Sequence, residues 1–280
     1  MKKVVSLTRR AIEQYNMIED GDKIAVGVSG GKDSLVLLNV LAELSRYYPK
    51  KFTVMGLTLD MGYDADYSKV QKMCDDLGVE YKVKKTNIKE IIFDIRKESN
   101  PCSLCAKMRR GHLYSKAKSL GCNKIALGHH FSDVVETTVM SMFYGAQLQA
   151  MPPKLHSQNF EGMELIRPMY MVKEADIKAW RDYHQLHFIQ CACRFTENCA
   201  TCGGAKGSKR DEMKELVAKF RETSDVIEYN IFNSVHNVNL RTIIGYHKDD
   251  MEYNFLDDYD DWGKTGHGEN STEVSGESES

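Results

Sequence analysis

The hydrophobic positions of the chain alternate between short apolar runs and longer segments with a helical period. Apolar runs that are bounded by turn residues predict β-strands. These strands are predicted at about 23–28, 52–59, 80–84, 124–128 and 164–168. Segments with apolar residues three or four positions apart predict helices, at about 34–47, 66–77, 103–119 and 132–144. The alternation predicts an α/β fold with a doubly wound, mostly parallel five-stranded sheet.

The two ends of the chain have different patterns. Residues 1–20 have the spacing of an amphipathic helix, and further helices are predicted at 173–185 and 208–232. The stretch 191–207 is rich in Cys and Gly and has few apolar residues. We therefore predict four regions. They are an N-terminal helix over 1–22, an α/β domain over 23–172, a Cys-containing helical extension over 173–262 and a disordered acidic tail over 263–280.

Composition and charge narrow the function classes. The chain has 280 residues, of which 42% are hydrophobic and 28% charged, as in an ordinary globular protein with a substantial core. It has no apolar run of 18 residues and no secretory leader, so we expect a cytoplasmic protein without a membrane partner. Residues 249–280 contain eleven acids and one base; since the whole chain carries −2, residues 1–248 carry +8. A basic body permits a polyanionic partner such as nucleic acid.

The first predicted strand runs directly into a glycine-rich turn and a helix. The turn has the sequence Ser29-Gly30-Gly31-Lys32-Asp33-Ser34. Adjacent glycines let the backbone approach an anion, and the helix N-terminus supplies free N–H groups and partial positive charge. Lys32 adds a full charge. The spacing differs from that of the Walker A loop and of the dinucleotide fingerprint.

This hexapeptide resembles the PP-loop of the ATP pyrophosphatase superfamily. The resemblance implies a PP-loop (adenine nucleotide alpha hydrolase-like) fold over 23–172 that binds ATP and adenylates a carbonyl oxygen. The polar residues Asp60 and His129 follow the second and fourth predicted strands, at the strand ends where ligands of parallel sheets bind. The expected ATP-binding residues are Ser29, Gly30, Gly31, Lys32, Asp33, Ser34, Asp60, Gly128 and His129.

Eight cysteines and no export signal favour metal binding over disulfides. Cys102 and Cys105 form a C-x-x-C pair at the start of a predicted helix, where two thiolates can hold one metal centre. Cys74 and Cys122 are expected to be small core residues. A second cluster consists of Cys191, Cys193, Cys199 and Cys202.

Longer strings make the resemblance more specific. From about residue 8 to 195 the chain resembles the TtcA-type tRNA 2-thiocytidine synthetases, which are PP-loop tRNA thiolases. The matching strings include Cys102–Cys105 with Arg109-Arg110-Gly111, Gly128-His129-His130, Met142–Gly145, Met151–Leu155 and Ile166–Pro168.

The resemblance implies a 4Fe-4S cluster held by three cysteines. Cys102 and Cys105 match the family's pair, and Cys191 occupies the position of its third ligand. One iron then lacks a protein ligand and can present sulfide to the substrate. A structural Zn²⁺ site formed by the later cysteines is the rival assignment, and the roles of Cys193, Cys199 and Cys202 stay open.

The resemblance also implies roles for three residues near the nucleotide. Asp133 matches the second of two adjacent acids in the family, the first being Ser132 here, and is expected to coordinate Mg²⁺ or assist proton transfer. Lys32 would stabilise charge on the phosphates. Arg109 would steady the adenylate, although a phosphate contact to RNA or a surface ion pair explains it equally well.

The function implied is ATP-dependent thiolation at C2 of an anticodon-loop cytidine, position 32 of the tRNA. The partners implied are tRNA, a sulfur donor (a cysteine desulfurase or free sulfide) and a second copy of the chain. The alternatives are a PP-loop thiolase acting on a tRNA uridine or on a small thiolated substrate, and a zinc-containing nucleotide-binding module. Candidate RNA contacts are Lys2, Lys3, Arg9, Arg10, Arg110, Lys154, Arg167, Lys206, Lys209 and Arg210.

Overall fold

The computed structural model describes residues 2–62, 65–92, 101–184 and 209–261, apart from the side chains of 101–103 and 261. Its helices are α1 Lys2–Gln14, α2 Lys32–Tyr47, α3 Ser68–Leu77, α4 Pro101–Ser119, α5 Phe131–Gly145, α6 Glu174–Tyr183, α7 Lys209–Thr223 and α8 Val226–Ser234. Its strands are β1 Asp22–Gly27, β2 Phe52–Asp60, β3 Glu80–Lys85, β4 Lys124–Ala126, β5 Lys154–His156, β6 Glu164–Ile166, β7 Gly245–Lys248 and β8 Met251–Asn254. None of the described helices is both long and apolar enough to cross a membrane.

The central sheet has the strand order β3-β2-β1-β4-β6-β5. All neighbouring pairs are parallel except β5 with β6. Side chains alternate across β1: Ile24 and Val26 join the larger apolar cluster, whereas Ala25 joins a second cluster that contains Tyr114 of α4. Helices therefore cover both faces, and the predicted doubly wound, mostly parallel fold is confirmed.

The sheet has one more strand than the five that the sequence predicts. The additional strand is β5, whose three residues are partly or fully exposed and follow two prolines. It contains no apolar run, and it pairs with β6 only because the chain folds back antiparallel at this edge.

The stretch 208–232, which the sequence predicts to be helical, forms two helices in the structure, α7 and α8. The chain turns at Ser224, whose carbonyl oxygen accepts a hydrogen bond from the N–H of Ile227 at 3.3 Å. The turn lets α8 pack on α5, where the rings of Phe232 and Phe131 stack with centroids 4.7 Å apart. This long-range contact overrides a helical period that continues through the turn.

The chain divides into two compact units, residues 1–235 and 236–280. Within the second unit, β7 and β8 form an antiparallel hairpin in which the rings of Tyr246 and Tyr253 stack at 4.5 Å. A cavity of about 740 Å³ lies within this unit and is lined by residues including Met251 and Phe255. The four predicted regions, with boundaries after residues 22, 172 and 262, stay predictions.

A buried ion cluster ties β1, β4 and β6 together at their N-terminal ends. The ammonium of Lys124 lies 3.2 Å from Asp22 Oδ2 and 2.7 Å from Glu164 Oε2, and it donates to the carbonyl oxygen of Met17 at 2.9 Å. The side chain of Lys124 is only 5% exposed. The opposite charges of the cluster therefore compensate one another in the folded protein. Loss of one member would leave a buried charge unpaired and lower the stability.

We expect Lys124→Ala to lower the free energy of unfolding by about 3–5 kcal/mol, because the buried carboxylate of Asp22 and the partly buried carboxylate of Glu164 lose their counter-ion. Guanidinium unfolding measures this change. Lys82→Ala is the control, since Lys82 and its partner Glu80 are both half exposed, and little change is expected. Unfolding of Lys124→Ala at the wild-type denaturant concentration would contradict the prediction.

Candidate active site

The candidate site lies at the carboxyl edge of the central sheet. There β2, β1 and β4 are neighbours, so the segments that follow them come together. Asp60 is the last residue of β2, and the segments after β1 and β4 carry the loop 28–31 and Gly128-His129. The loop is anchored at its start, where the N–H of Val28 donates to the carbonyl oxygen of Leu57 at 2.9 Å. The edge matches the location of ligands in open parallel sheets.

The glycine-rich turn is closed by its own serines. The backbone N–H of Ser29 donates to Ser34 Oγ at 3.2 Å, and the hydroxyl of Ser34 donates to the carbonyl oxygen of Gly31 at 2.9 Å. Gly30 has a φ of +83°, a conformation that favours glycine. Gly31 caps α2 without a side-chain hydrogen bond. The first turn of α2 therefore faces the loop with N–H groups suited to an anion.

Gly128 is required by close packing between two segments of the site. A Cβ at this position would lie 3.0 Å from the carbonyl carbon of Asp33 and 3.1 Å from the nitrogen of Ser34. Both atoms belong to the backbone and cannot rotate away. Gly128 thus lets the segment after β4 lie against the start of α2, and this contact shapes the loop.

Lys32 is held between two carboxylates. Its ammonium lies 3.1 Å from Asp33 Oδ2 and 3.1 Å from Glu174 Oε1, at the start of α6. Burial alone would lower the pKa of Lys32, but these carboxylates raise it above its ordinary value. Lys32 is therefore a permanent cation at neutral pH. Asp33 Oδ1 is buried and accepts no hydrogen bond from any residue that the structure describes, which leaves an acceptor suited to a cation.

Asp133 lies in the first turn of α5 and caps it. Its Oδ2 accepts the backbone N–H of His130 at 2.9 Å, and its other oxygen pairs with the guanidinium of Arg210 from α7. Arg210 Nε also lies 3.3 Å from Glu136 Oε2. Burial raises the pKa of Glu136, and Arg210 opposes the shift. Arg210, a candidate RNA contact by sequence, is thus directed to carboxylates of the site.

Two histidines follow β4 and are neutral at physiological pH. Burial and the guanidinium of Arg167 lower the pKa of His129 to about 4. Burial also lowers the pKa of His130, against the effect of Asp133. Arg167 Nε donates to His129 Nδ1 at 3.3 Å. The remaining sequence-predicted residue of this edge, Asp60, is buried and accepts the N–H of Gly62 at 2.9 Å.

The interpretation of Arg167 as an RNA contact is wrong. Arg167 is only 8% exposed, its guanidinium donates to the carbonyl oxygen of Pro152, and burial lowers its pKa to about 10. It fixes the loop before β5 and orients His129. Its position near the end of the predicted strand 164–168 was the only sequence signal for this role.

Cys105 brings a thiol to the same edge of the sheet. Cys105 lies on α4, and its Sγ is 4.0 Å from the Sδ of Met61, the residue that follows Asp60. It is half-buried, as a thiolate ligand that faces a cleft would be. Arg109, one turn further along α4, is exposed. The thiol of Cys102 and all of Cys191, Cys193, Cys199 and Cys202 lie outside the described residues.

Cys74 and Cys122 have the structural character that their isolation in the sequence predicts. Both are buried in the apolar clusters. Burial raises the pKa of Cys74 to about 12 and also raises that of Cys122. Neither thiol is ionised at neutral pH, so both act as apolar core residues.

Sequence reasoning missed Glu174 and Lys214. Glu174, on α6, forms an ion pair with Lys32. Lys214, on α7, places its Nζ 3.4 Å from Glu174 Oε2. An acid in the first turn of a helix is common for electrostatic reasons. No local signal in the sequence distinguishes Glu174 from such a residue.

Comparison with known proteins gives consistent relatives. A family model described as the PP-loop domain matches residues 4–194. A tRNA-cytidine(32) 2-sulfurtransferase from Aliivibrio fischeri (strain MJ11) is 38% identical over 241 residues, which cover 85% of this chain and 75% of that protein. The one from Syntrophotalea carbinolica is 36% identical over 245 residues, covering 87% and 92%.

A solved structure has the same fold. The U34-tRNA thiolase NcsA from Methanococcus maripaludis, determined with its 4Fe-4S cluster, has a TM-score of 0.68 to this chain. The two are 22% identical, and the match covers 88% of this chain and 80% of that one.

Proposed function

Since the chain belongs to the PP-loop family and to the tRNA-cytidine(32) 2-sulfurtransferases within it, we propose that it is an ATP-dependent tRNA sulfurtransferase. The observation that carries the proposal is the meeting of two features at one sheet edge. The phosphate-type loop 29–34 follows β1, and the Cys105 thiol contacts the segment that follows the neighbouring β2.

The first step in the proposed reaction is adenylation of a cytidine. The C2 carbonyl oxygen attacks the α-phosphorus of ATP, the bond from that phosphorus to the bridging oxygen breaks, and pyrophosphate leaves. The loop N–H groups and Lys32 stabilise the charge on the phosphates. Asp133 and the buried Oδ1 of Asp33 are the proposed ligands of Mg²⁺. Alternatively, Asp133 assists proton transfer. Asp60 and His129 line the nucleotide side of the pocket.

The second step replaces oxygen by sulfur. A sulfur nucleophile attacks C2, the C2–O bond breaks, and AMP leaves with the oxygen. Cys102, Cys105 and Cys191 would hold a 4Fe-4S cluster, which would supply the iron–sulfur chemistry for sulfur delivery. The exposed Arg109 lies one turn from Cys105 on α4 and is proposed to steady the adenylate. The later cysteines, Cys193, Cys199 and Cys202, keep a Zn²⁺ site as their alternative.

The partners follow from this chemistry. The tRNA presents an unpaired base, and free sulfide or a cysteine desulfurase supplies sulfur. The chain is proposed to act as a homodimer in the cytoplasm, where tRNA is modified.

The test is to purify the protein anaerobically and to incubate it with ATP, sulfide and tRNA. The tRNA is taken from cells that lack this protein. Mass spectrometry of the digested nucleosides is expected to show 2-thiocytidine that depends on ATP. Thiouridine instead would favour the tRNA uridine alternative. An unmodified tRNA together with a colourless, zinc-containing protein would favour the nucleotide-binding module and contradict the proposal.

A further inference from the structure

The carboxylate of Glu174 is surrounded by ammonium groups from three helices. Its Oε1 lies 3.1 Å from Lys32 Nζ of α2. Its Oε2 lies 3.2 Å from Lys178 Nζ of α6 and 3.4 Å from Lys214 Nζ of α7. One carboxylate therefore forms ion pairs with three cations. One of these cations, Lys32, also forms an ion pair with Asp33. We call Lys32, Lys178 and Lys214 the lysine cluster.

The three lysines carry three positive charges, whereas the two acids that form ion pairs with them, Glu174 and Asp33, carry two. The charge of Lys214 also acts on Glu136, whose own ion pair is with Arg210. Lys178 and Lys214 share one oxygen atom, and like charges this close repel each other. Burial alone would raise the pKa of Glu174, yet the hydrogen bonds from Lys32 and Lys178 and the charge of Lys214 lower it to about 2. The side chain of Glu174 is 18% exposed and that of Lys32 is 22% exposed, so water screens the excess charge only in part.

The lysine cluster extends directly from the glycine-rich loop. Lys32 is the first residue of α2 and follows the loop directly. Lys178 and Lys214 are about half exposed and open to an incoming ligand. A ligand with several negative charges on neighbouring groups fits this arrangement better than one carboxylate does. The end of a nucleoside triphosphate has this chemistry.

We propose that the lysine cluster is the subsite for the two terminal phosphates of ATP, which leave as pyrophosphate. Glu174 is an internal anion that holds the three ammonium groups in the ligand-free protein and gives way when the polyphosphate binds. This inference rests on the proposed ATP-dependent function. It adds Lys178 and Lys214 as binding residues and Glu174 as a competitor for the same cations.

If Glu174 competes with the polyphosphate for the lysines, substituting a lysine and substituting Glu174 should change the affinity for pyrophosphate in opposite directions. Lys214→Ala removes a cation and is expected to weaken pyrophosphate binding about fivefold. Glu174→Gln removes the competing charge and is expected to tighten it by about the same factor. A purely structural role for the ion pairs would make both variants bind more weakly.

The test is calorimetric titration of the full-length protein with inorganic pyrophosphate, ATP and AMP, and filter binding of tRNA. Lys214→Ala is expected to lose affinity for pyrophosphate and ATP but not for AMP or tRNA, and Lys178→Ala provides a second variant of the same kind. Lys219→Ala is the matched control, since Lys219 is an exposed lysine further along α7. It is expected to bind all four ligands as the wild type does.

The inference is overturned if Lys214→Ala and Lys178→Ala bind pyrophosphate as Lys219→Ala does, or if Glu174→Gln binds it more weakly. An equal loss for AMP would show damage to the whole pocket, and a loss confined to tRNA would identify an RNA phosphate as the ligand; both results also overturn it. If the wild-type protein bound neither ATP nor pyrophosphate, that result would instead contradict the proposed function itself.

Discussion

Replacing Cys105 with alanine is expected to reduce tRNA thiolation at least a hundredfold while ATP affinity stays within about twofold of the wild type. Cys105 contributes a thiol at the same edge of the sheet as the glycine-rich loop, where its Sγ contacts Met61 Sδ. The variant therefore removes a proposed cluster ligand without disturbing the phosphate site. Anaerobic measurements of 2-thiocytidine, of iron per chain and of ATP binding check the three parts of this prediction.

Cys122→Ala is the matched control for a cysteine variant. The Cys122 thiol is buried and lies 3.4 Å from Met55 Sδ, in the core on one face of the sheet. Its truncation is expected to cost about 1 kcal/mol of stability and to leave thiolation intact. If Cys105→Ala kept wild-type thiolation and iron content, Cys105 would not be a cluster ligand.

Gly128→Ala is expected to lower ATP affinity at least tenfold. The added methyl group would lie 3.0–3.1 Å from backbone atoms of Asp33 and Ser34, so the start of α2 or the segment after β4 must shift. Overpacking of this kind costs about 1–3 kcal/mol, and here the strain falls on the loop that binds phosphate. Nucleotide titration measures the affinity, and thermal unfolding shows that the variant is folded.

Gly145→Ala controls for the substitution itself. Apart from its chain neighbours and the backbone of its own helix, a Cβ on Gly145, the last residue of α5, would meet no described atom within 4 Å, so ATP affinity should not change. Wild-type ATP binding by Gly128→Ala would mean that this close contact does not shape the phosphate site.

Local sequence patterns predict much of the fold correctly. The alternation of apolar runs and amphipathic segments predicts every parallel strand and the helices α2 to α5. Each of these elements buries one or both of its faces, so the spacing of apolar residues within a few consecutive positions identifies it. The string from Ser29 to Ser34 predicts a strand–turn–helix, and the structure has β1, the loop and α2 in that order. The predicted PP-loop family is confirmed by the family model and the curated relatives.

The site is less completely predictable than the fold. The sequence indicates Lys32 and Asp133, but it does not indicate that Glu174 and Arg210 are their partners. It presents Arg167 as one more surface cation, whereas the fold buries it against His129. These roles depend on residues far apart in the chain. They come together because α6 packs on α2, α7 packs on α5, and β4 and β6 are neighbours in the sheet.

The sequence by itself therefore determined the elements, the anion-binding turn and the kind of chemistry expected, since each depends on neighbouring residues. Only the tertiary structure decided the strand order, the turn between α7 and α8 and the charge balance around Lys32. The physical reason is that backbone preferences and apolar periods act over a few residues. Ion pairs and close backbone contacts act through space, between elements whose spacing along the chain carries no information about their distance.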